Sequence, residues 1–247
     1  MRKVVICLLL ILFLTGCGAK ETENKLAASS EMLSPYAGIV LQTLPGYGLK
    51  TQTESIYAEL PRGNAAACLD AQAVPAMEQG VGRYWYPHCL ATVVIAVDRT
   101  RVDADISGWR DLLDAESVVG MTTDAPLDQL ILGAMSYGLE GQEYTKSEAL
   151  ALLERLYSQG ELRLDDQTAP IQLCFDNQAA AWNRTGQDWE IIVPAEGTLS
   201  FTLGLLSDTP LEFERGLNET LLASGLPLAD GRRPEGYPAD GAYCAAV

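Results

Sequence analysis

Histidine is almost missing from this chain, in which His88 is the one imidazole among 247 residues. Any Ser/His or Cys/His mechanism would have to pass through that position. There is no G-x-S-x-G, P-loop or H-E-x-x-H pattern, so the common hydrolytic and nucleotide chemistries have no support, and the chain reads as a non-enzyme without catalytic residues. Basic residues are scarce too, 17 against 33 acidic ones, for a formal net charge of −16. That balance argues against nucleic acid as a partner. An acidic field favours cationic ligands, and acids scattered over a solvated surface give the same sum. No CxxC or Cys/His spacing occurs, so neither a metal site nor a cofactor is implied.

The one long apolar run is Val4–Leu14, preceded by Arg2 and Lys3 and too short for a comfortable permanent span. It reads as a signal peptide over 1–16. The run ends in Leu14-Thr15-Gly16-Cys17, which resembles a bacterial lipobox and makes Cys17 the expected lipid attachment site. Two acyl chains on one residue suffice for stable anchoring. Residues 17–32 are mostly small and polar and are expected to form a tether. Cys68, Cys89, Cys174 and Cys244 remain, allowing three disulfide pairings or a set of buried thiols.

The apolar content of 48% is ample for a core, in one domain or two lobes. Gly38–Leu44 suggests a strand entering the turn Pro45–Gly48, and Ala65–Gln79 suggests a helix disturbed by Pro75. Ala91–Val97 has the continuous apolar character of a buried parallel strand. Ser107 and Asp111 suit the start of a helix carrying Trp109. Val118–Met121 reads as a strand, after which Asp124 and Pro126 open a helix with an apolar stripe at Leu127, Leu130, Ile131, Ala134 and Met135, stopped by Gly138. Thr145–Glu148 has the form of a capping box before Leu150, Leu153, Leu156 and Tyr157, with Gly160 as terminator. Ile171–Phe175 is a strand running into Asp176-Asn177, a position where a side chain can cap a helix or meet a ligand. Trp189–Val193 is a strand that Pro194 ends, and Thr209–Glu212 opens another helix.

Three of these stretches carry a family resemblance. Pro194-Ala195-Glu196-Gly197-Thr198 after a strand, Trp109-Arg110-Asp111-Leu112 after the Ala91–Val97 strand, and the lipobox together resemble bacterial extracellular solute-binding proteins of the spermidine/putrescine and ferric-iron type. The resemblance implies an α/β, two-lobed, type 2 periplasmic-binding fold. Its first lobe is shortened and spans 33–97 and 191–247, the second lobe spans 98–190, and hinges fall near Val97 and Ile191. It implies a lipid-anchored receptor on the extracytoplasmic face of the cell membrane that delivers a small solute to an ABC permease. Trp109 becomes a packing residue. The expected ligand-binding residues are Asp124, Asp176, Asn177, Glu196, Gly197 and Thr198, and their carboxylates suggest a cationic or amine-bearing solute. Leu203 stands where polyamine binders carry an acid, and Ala195 replaces the usual lysine. Tyr84-Trp85-Tyr86-Pro87-His88 raises ferric iron as an alternative ligand, against a structural role for the same residues. A sensor or interaction lipoprotein that keeps the fold without transport is the alternative function.

Overall fold

The computed structural model describes residues 24–30, 33–50, 60, 63–124, 127–141, 146–235, 237 and, as backbone, 243–245. The expected signal peptide and Cys17 lie outside the described residues. In chain order the elements are β1 (Asn24–Ala28), α1 (Ser34–Val40), β2 (Tyr47–Lys50), β3 (Ala65–Leu69), α2 (Asp70–Glu78) and β4 (Tyr84–Asp98). A 3₁₀ turn (Arg110–Leu113) leads to β5 (Val119–Met121), α3 (Leu127–Glu140), α4 (Ser147–Gln159), β6 (Leu162–Leu164), β7 (Ile171–Phe175) and α5 (Asp176–Arg184). The chain ends with β8 (Trp189–Ile192), β9 (Thr198–Ser207), α6 (Leu217–Ala223) and β10 (Tyr243–Ala245). Among the described residues no helix is long and apolar enough to cross a membrane.

The strands run in the order β2-β1-β3-β9-β4-β7-β5-β6, with β10 added on β9 and β8 on β4. β4 organises this sheet. From Tyr84 to Thr92 it pairs with β9, from Val93 with β7 on one side and from Ile95 with β8 on the other, antiparallel in every case, so the run Ala91–Val97 expected as a parallel strand is an antiparallel one. One strand thus belongs to two half-sheets, and its partners change between Thr92 and Val93. Two βα units, β1–α1 and β3–α2, precede it.

Several local expectations are corrected. The tether expected over 17–32 contains β1, which lies parallel between β2 and β3 with Leu26, Ala27 and Ala28 buried. Three small apolar residues are enough for a short strand covered on both sides, and their polar neighbours hide them in the sequence. Gly38–Leu44 is not a strand. Leu33, Tyr36, Ala37, Val40 and Leu44 are all buried at helical spacing, and Pro35 sits in the first turn of α1. Ala65–Leu69 is a strand and not the start of a helix. Ala65, Ala67 and Leu69 face the main core, while Ala66 and Cys68 face a second cluster with Leu206. A strand buried on both faces takes small side chains, and that packing overrides the helical preference of alanine.

In α3 the stripe is seated as expected, with Leu127, Ile131, Ala134 and Met135 buried, but the helix continues past Gly138 to Glu140. Gly138 serves packing. A Cβ there would lie 2.3 Å from the Gly197 carbonyl oxygen and 2.7 Å from the Trp109 indole nitrogen. In α4 the buried face is Ala149, Leu152 and Leu156, leaving Leu150 and Tyr157 45% and 70% exposed, so the stripe is turned by one residue. Gly160 does end α4, at φ 77°. No helix opens at Thr209. Leu211 donates its N–H to the Tyr86 hydroxyl (2.9 Å) and Glu214 to the Thr43 carbonyl (2.7 Å), and α6 begins only after Gly216. Cys68, Cys89 and Cys174 are buried free thiols whose pKa values burial raises. Cys244 lies in β10, of which only the backbone is described.

Candidate functional site

Two places compete for the residues singled out in the sequence, the return crossover and the strand ends. The crossover is the segment 193–197 between β8 and β9. Its Ala195 N–H donates to the Ser107 carbonyl at 2.9 Å. The Glu196 carboxylate accepts the N–H of Trp109 (3.0 Å) on one oxygen and of Arg110 (3.1 Å) on the other. It thereby caps the 3₁₀ turn, whose first N–H groups have no partner inside the turn. The fully buried Trp109 returns the contact, its indole N–H donating to the Gly197 carbonyl at 2.9 Å. Gly108 leaves the approach open, since a Cβ there would lie 2.0 Å from the Glu196 carboxylate. Thr198 donates its hydroxyl to the Val93 carbonyl (2.7 Å), and Thr92 meets the Ser200 hydroxyl at 2.8 Å. Glu196, Gly197 and Thr198, expected at the ligand, are thus occupied in fastening one half of the molecule to the other. The Glu196 carboxylate, the Gly197 N–H and carbonyl and the Thr198 hydroxyl already have partners in the chain.

The strand ends have a different geometry. β1 and β3 run with β4, whereas β5 and β7 run against it. The carboxyl ends of the two sets therefore point towards each other across the partner change, with Leu69 level with Cys89 and Phe175 level with Val93. Ligands of open α/β sheets sit outside such ends. The same turn is built twice. After Leu69 comes Asp70-Ala71-Gln72, and after Phe175 comes Asp176-Asn177-Gln178. In each, the glutamine oxygen accepts the N–H of the last strand residue, at 3.1 Å for Leu69 and 3.3 Å for Phe175. This repeat is the signal that sequence reading overlooked.

Asp124 stands at the end of β5, exposed, and accepts the Ser30 hydroxyl from the end of β1 at 2.5 Å. That bond joins the two halves directly. Ser29 binds Gln72 (2.9 Å), and the Asp165 carboxylate holds Thr123 by its N–H (2.7 Å) and hydroxyl (2.5 Å), setting the loop before Asp124. Asp176 is fully buried instead. One of its oxygens accepts the Thr92 N–H at 3.1 Å and the other accepts the Tyr237 hydroxyl, with the Asn177 N–H nearby as a further donor. Burial pushes its pKa up to about 6 against the pull of these donors. Asn177 is buried beside it in the first turn of α5. Sequence reasoning reached Asp124, Asp176 and Asn177, and missed Ser30, Gln72, Asp165 and Tyr237.

His88 lies within β4 and meets the Tyr36 hydroxyl through Nδ1 at 2.6 Å, with Phe213 packed edge-on at 5.1 Å. Burial lowers its pKa to about 4, so it is neutral at neutral pH. Tyr86 is engaged by the Leu211 N–H and packs edge-on against Phe213, while Tyr84 is exposed.

Comparison with known proteins agrees with this architecture. No family model matches the chain, and no curated protein matches its sequence. Solved structures do match. The sulfate-binding protein SubI from Mycobacterium tuberculosis aligns over 84% of this chain and 87% of its own at 14% identity, with a TM-score of 0.55. An ABC transporter substrate-binding protein from Bradyrhizobium japonicum aligns over 88% and 86% at 10% identity, TM-score 0.51. Iron-bound HitA from Pseudomonas aeruginosa aligns over 89% of both chains at 13% identity, TM-score 0.50. The chain has the type 2 periplasmic-binding fold. The partners of β4 change between Thr92 and Val93, and the segment 193–197 separates β8 from β9.

Proposed function

We propose that this protein is an extracytoplasmic solute-binding protein of an ABC importer, and that it holds its solute between the ends of β1 and β3 in one lobe and β5 and β7 in the other. The observation that carries the reading is the opposition of those strand ends, bridged by Ser30 and Asp124. The lobes then comprise 24–92 with 198–245, and 93–192, with lipid attachment at Cys17. Closure rotates one lobe about Thr92/Val93 and 193–197, and the closed form is the one that a permease reads. SubI and HitA are named for sulfate and iron, so the fold alone does not carry a ligand class.

The strand-end chemistry favours an amine-bearing solute. Asp124 offers an exposed carboxylate, Ser30 a hydroxyl, and Asp176 and Asn177 line the floor. A thermal-shift screen with putrescine, spermidine, amino acids, sulfate and ferric iron identifies the class, because a bound ligand stabilises by mass action. Calorimetry then compares Asp124→Asn, Asp176→Asn and the distant surface control Asp230→Asn. Loss of a charge-assisted contact at Asp124 is expected to cost about 1.5–3 kcal/mol, or roughly tenfold or more in affinity. Equal affinities in all three variants would remove the strand ends from the site. Cys17→Ser is expected to release the protein from the membrane fraction, and retention there would refute the anchor.

A further inference from the structure

A cavity of about 570 Å³ opens between α5, β8, the end of α6 and residues Pro234, Glu235 and Tyr237. Its walls come from both lobes. Ala180, Arg184, Trp189 and Ile191 belong to the second, whereas Ser224 follows α6, whose continuation pairs with β4 of the first lobe through Cys89 and Leu228. The inner wall is Tyr237, whose hydroxyl is bonded to the buried Asp176. Arg184 stands in the cavity wall and meets no carboxylate among the described residues. Its guanidinium, partly withdrawn from water, donates to the Ser224 carbonyl alone and leaves most of its five donors to the cavity.

A guanidinium fork matches a carboxylate bidentately, and the cavity adds Trp189, Ile191, Ala180 and the Tyr237 ring as an apolar bed beside it. Glu190 also lines the space but is paired with Arg99, and Glu235 stands at the rim. Two acids so placed select against polyanions and admit a single negative charge. We propose that this cavity is a second binding site, distinct from the strand ends, for a small organic monocarboxylate with an apolar body, anchored on Arg184. Because its walls come from both lobes, occupancy there ties the closed arrangement together.

The probe is sodium benzoate, titrated calorimetrically into the full chain and followed by tryptophan fluorescence, since Trp189 lines the cavity and lies 4.8 Å from Trp182, their rings tilted by 42°. Benzamide is the neutral control of the same shape. Benzoate is expected to bind on the order of millimolar, at least roughly tenfold more tightly than benzamide. Arg184→Gln removes that preference, and Arg184→Lys, folded to the same melting temperature, retains part of it. The distant surface control Asp230→Asn leaves it unchanged. Equal binding of benzoate and benzamide, binding indifferent to Arg184→Gln, or no benzoate binding at all would overturn the proposal. A benzoate preference lost equally in Asp230→Asn would overturn it as well, leaving the proposed solute site standing.

Discussion

Asp176→Asn is expected to stabilise this protein at neutral pH and to lose that advantage in acid. The carboxyl is fully buried at the point where β4 changes partners, and burial lifts its pKa from 3.8 to about 6. A raised acid binds its proton more tightly when folded, so its contribution to stability is complete below 3.8 and is lost as pH rises through 6. At 1.36 kcal/mol per tenfold change in proton affinity, the ionised form costs about 3 kcal/mol at pH 7.5 relative to pH 3.5. Asparagine keeps an acceptor for the Thr92 N–H and never ionises. His88 titrates in the opposite sense, its pKa lowered to about 4, so its contribution is present above 6.5 and fades as pH falls towards 4. The wild-type curve therefore mixes two opposing terms of similar size, and only the difference between variant and wild type isolates Asp176. Urea unfolding at half-unit intervals from pH 3.5 to 7.5 measures it. The variant should gain about 3 kcal/mol on wild type across that range, most of it between pH 4 and 6. A difference independent of pH would refute the assignment of a buried, ionising carboxyl at the hinge.

Tyr237→Phe removes one donor from the ionised Asp176, so urea unfolding should show a loss of about 1–3 kcal/mol at pH 7.5 that shrinks at pH 4. Glu196→Ala leaves the N–H groups of Trp109 and Arg110 without their acceptor and should cost about 1–3 kcal/mol of stability, while the ligand ranking in the thermal-shift screen stays the same. Gly138→Ala drives a methyl group into the Gly197 carbonyl and the Trp109 ring, and a drop in urea midpoint equivalent to at least about 1–3 kcal/mol is expected.

The parts of the fold that were legible in the sequence are those where one physical signal acts alone. Val93–Val97 is a run of fully buried apolar residues, and nothing competes with a strand there. Ile171–Phe175 and Val119–Met121 are similar cases, and Trp109 is sealed in the core as its setting suggests. The misread segments are those in which composition and context disagree. Ala65–Leu69 has the composition of a helix and the position of a central strand, and Ile39-Val40 has the β-branched residues of a strand on the buried face of a helix. Single-residue meaning was harder still. Glu196 and Asp124 both follow strands as lone carboxylates, yet the first accepts two N–H groups from a turn 86 and 87 residues earlier, while the second reaches across to Ser30. No local pattern distinguishes a carboxylate that caps a turn from one that meets a distant hydroxyl. The difference lies in which turn the fold brings opposite it.

The duplicated turn makes the same point within one molecule. Asp70 and Asp176 occupy equivalent places, each the first residue of a helix whose third residue, a glutamine, secures the preceding strand. Asp70 is partly exposed, and its carboxylate accepts the neighbouring Ala71 N–H at 2.8 Å. Asp176 is covered by β4 at Thr92, by the thiols of Cys89 and Cys174 on β4 and β7, and by Tyr237. Identical local grammar therefore yields two acids with different electrostatics, because only one is sealed by the crossover strand. If lobe opening withdraws Tyr237 from Asp176, the carboxyl regains water and its pKa falls towards 3.8, so opening is coupled to proton release between those values and about 6. A closed form fastened more firmly in acid is the consequence. Small-angle scattering of the ligand-free chain at pH 5 and 7.5 tests it, with a smaller radius of gyration expected at pH 5 in wild type and no difference in Asp176→Asn. A wild-type radius that does not change with pH would sever the link between that carboxyl and the hinge.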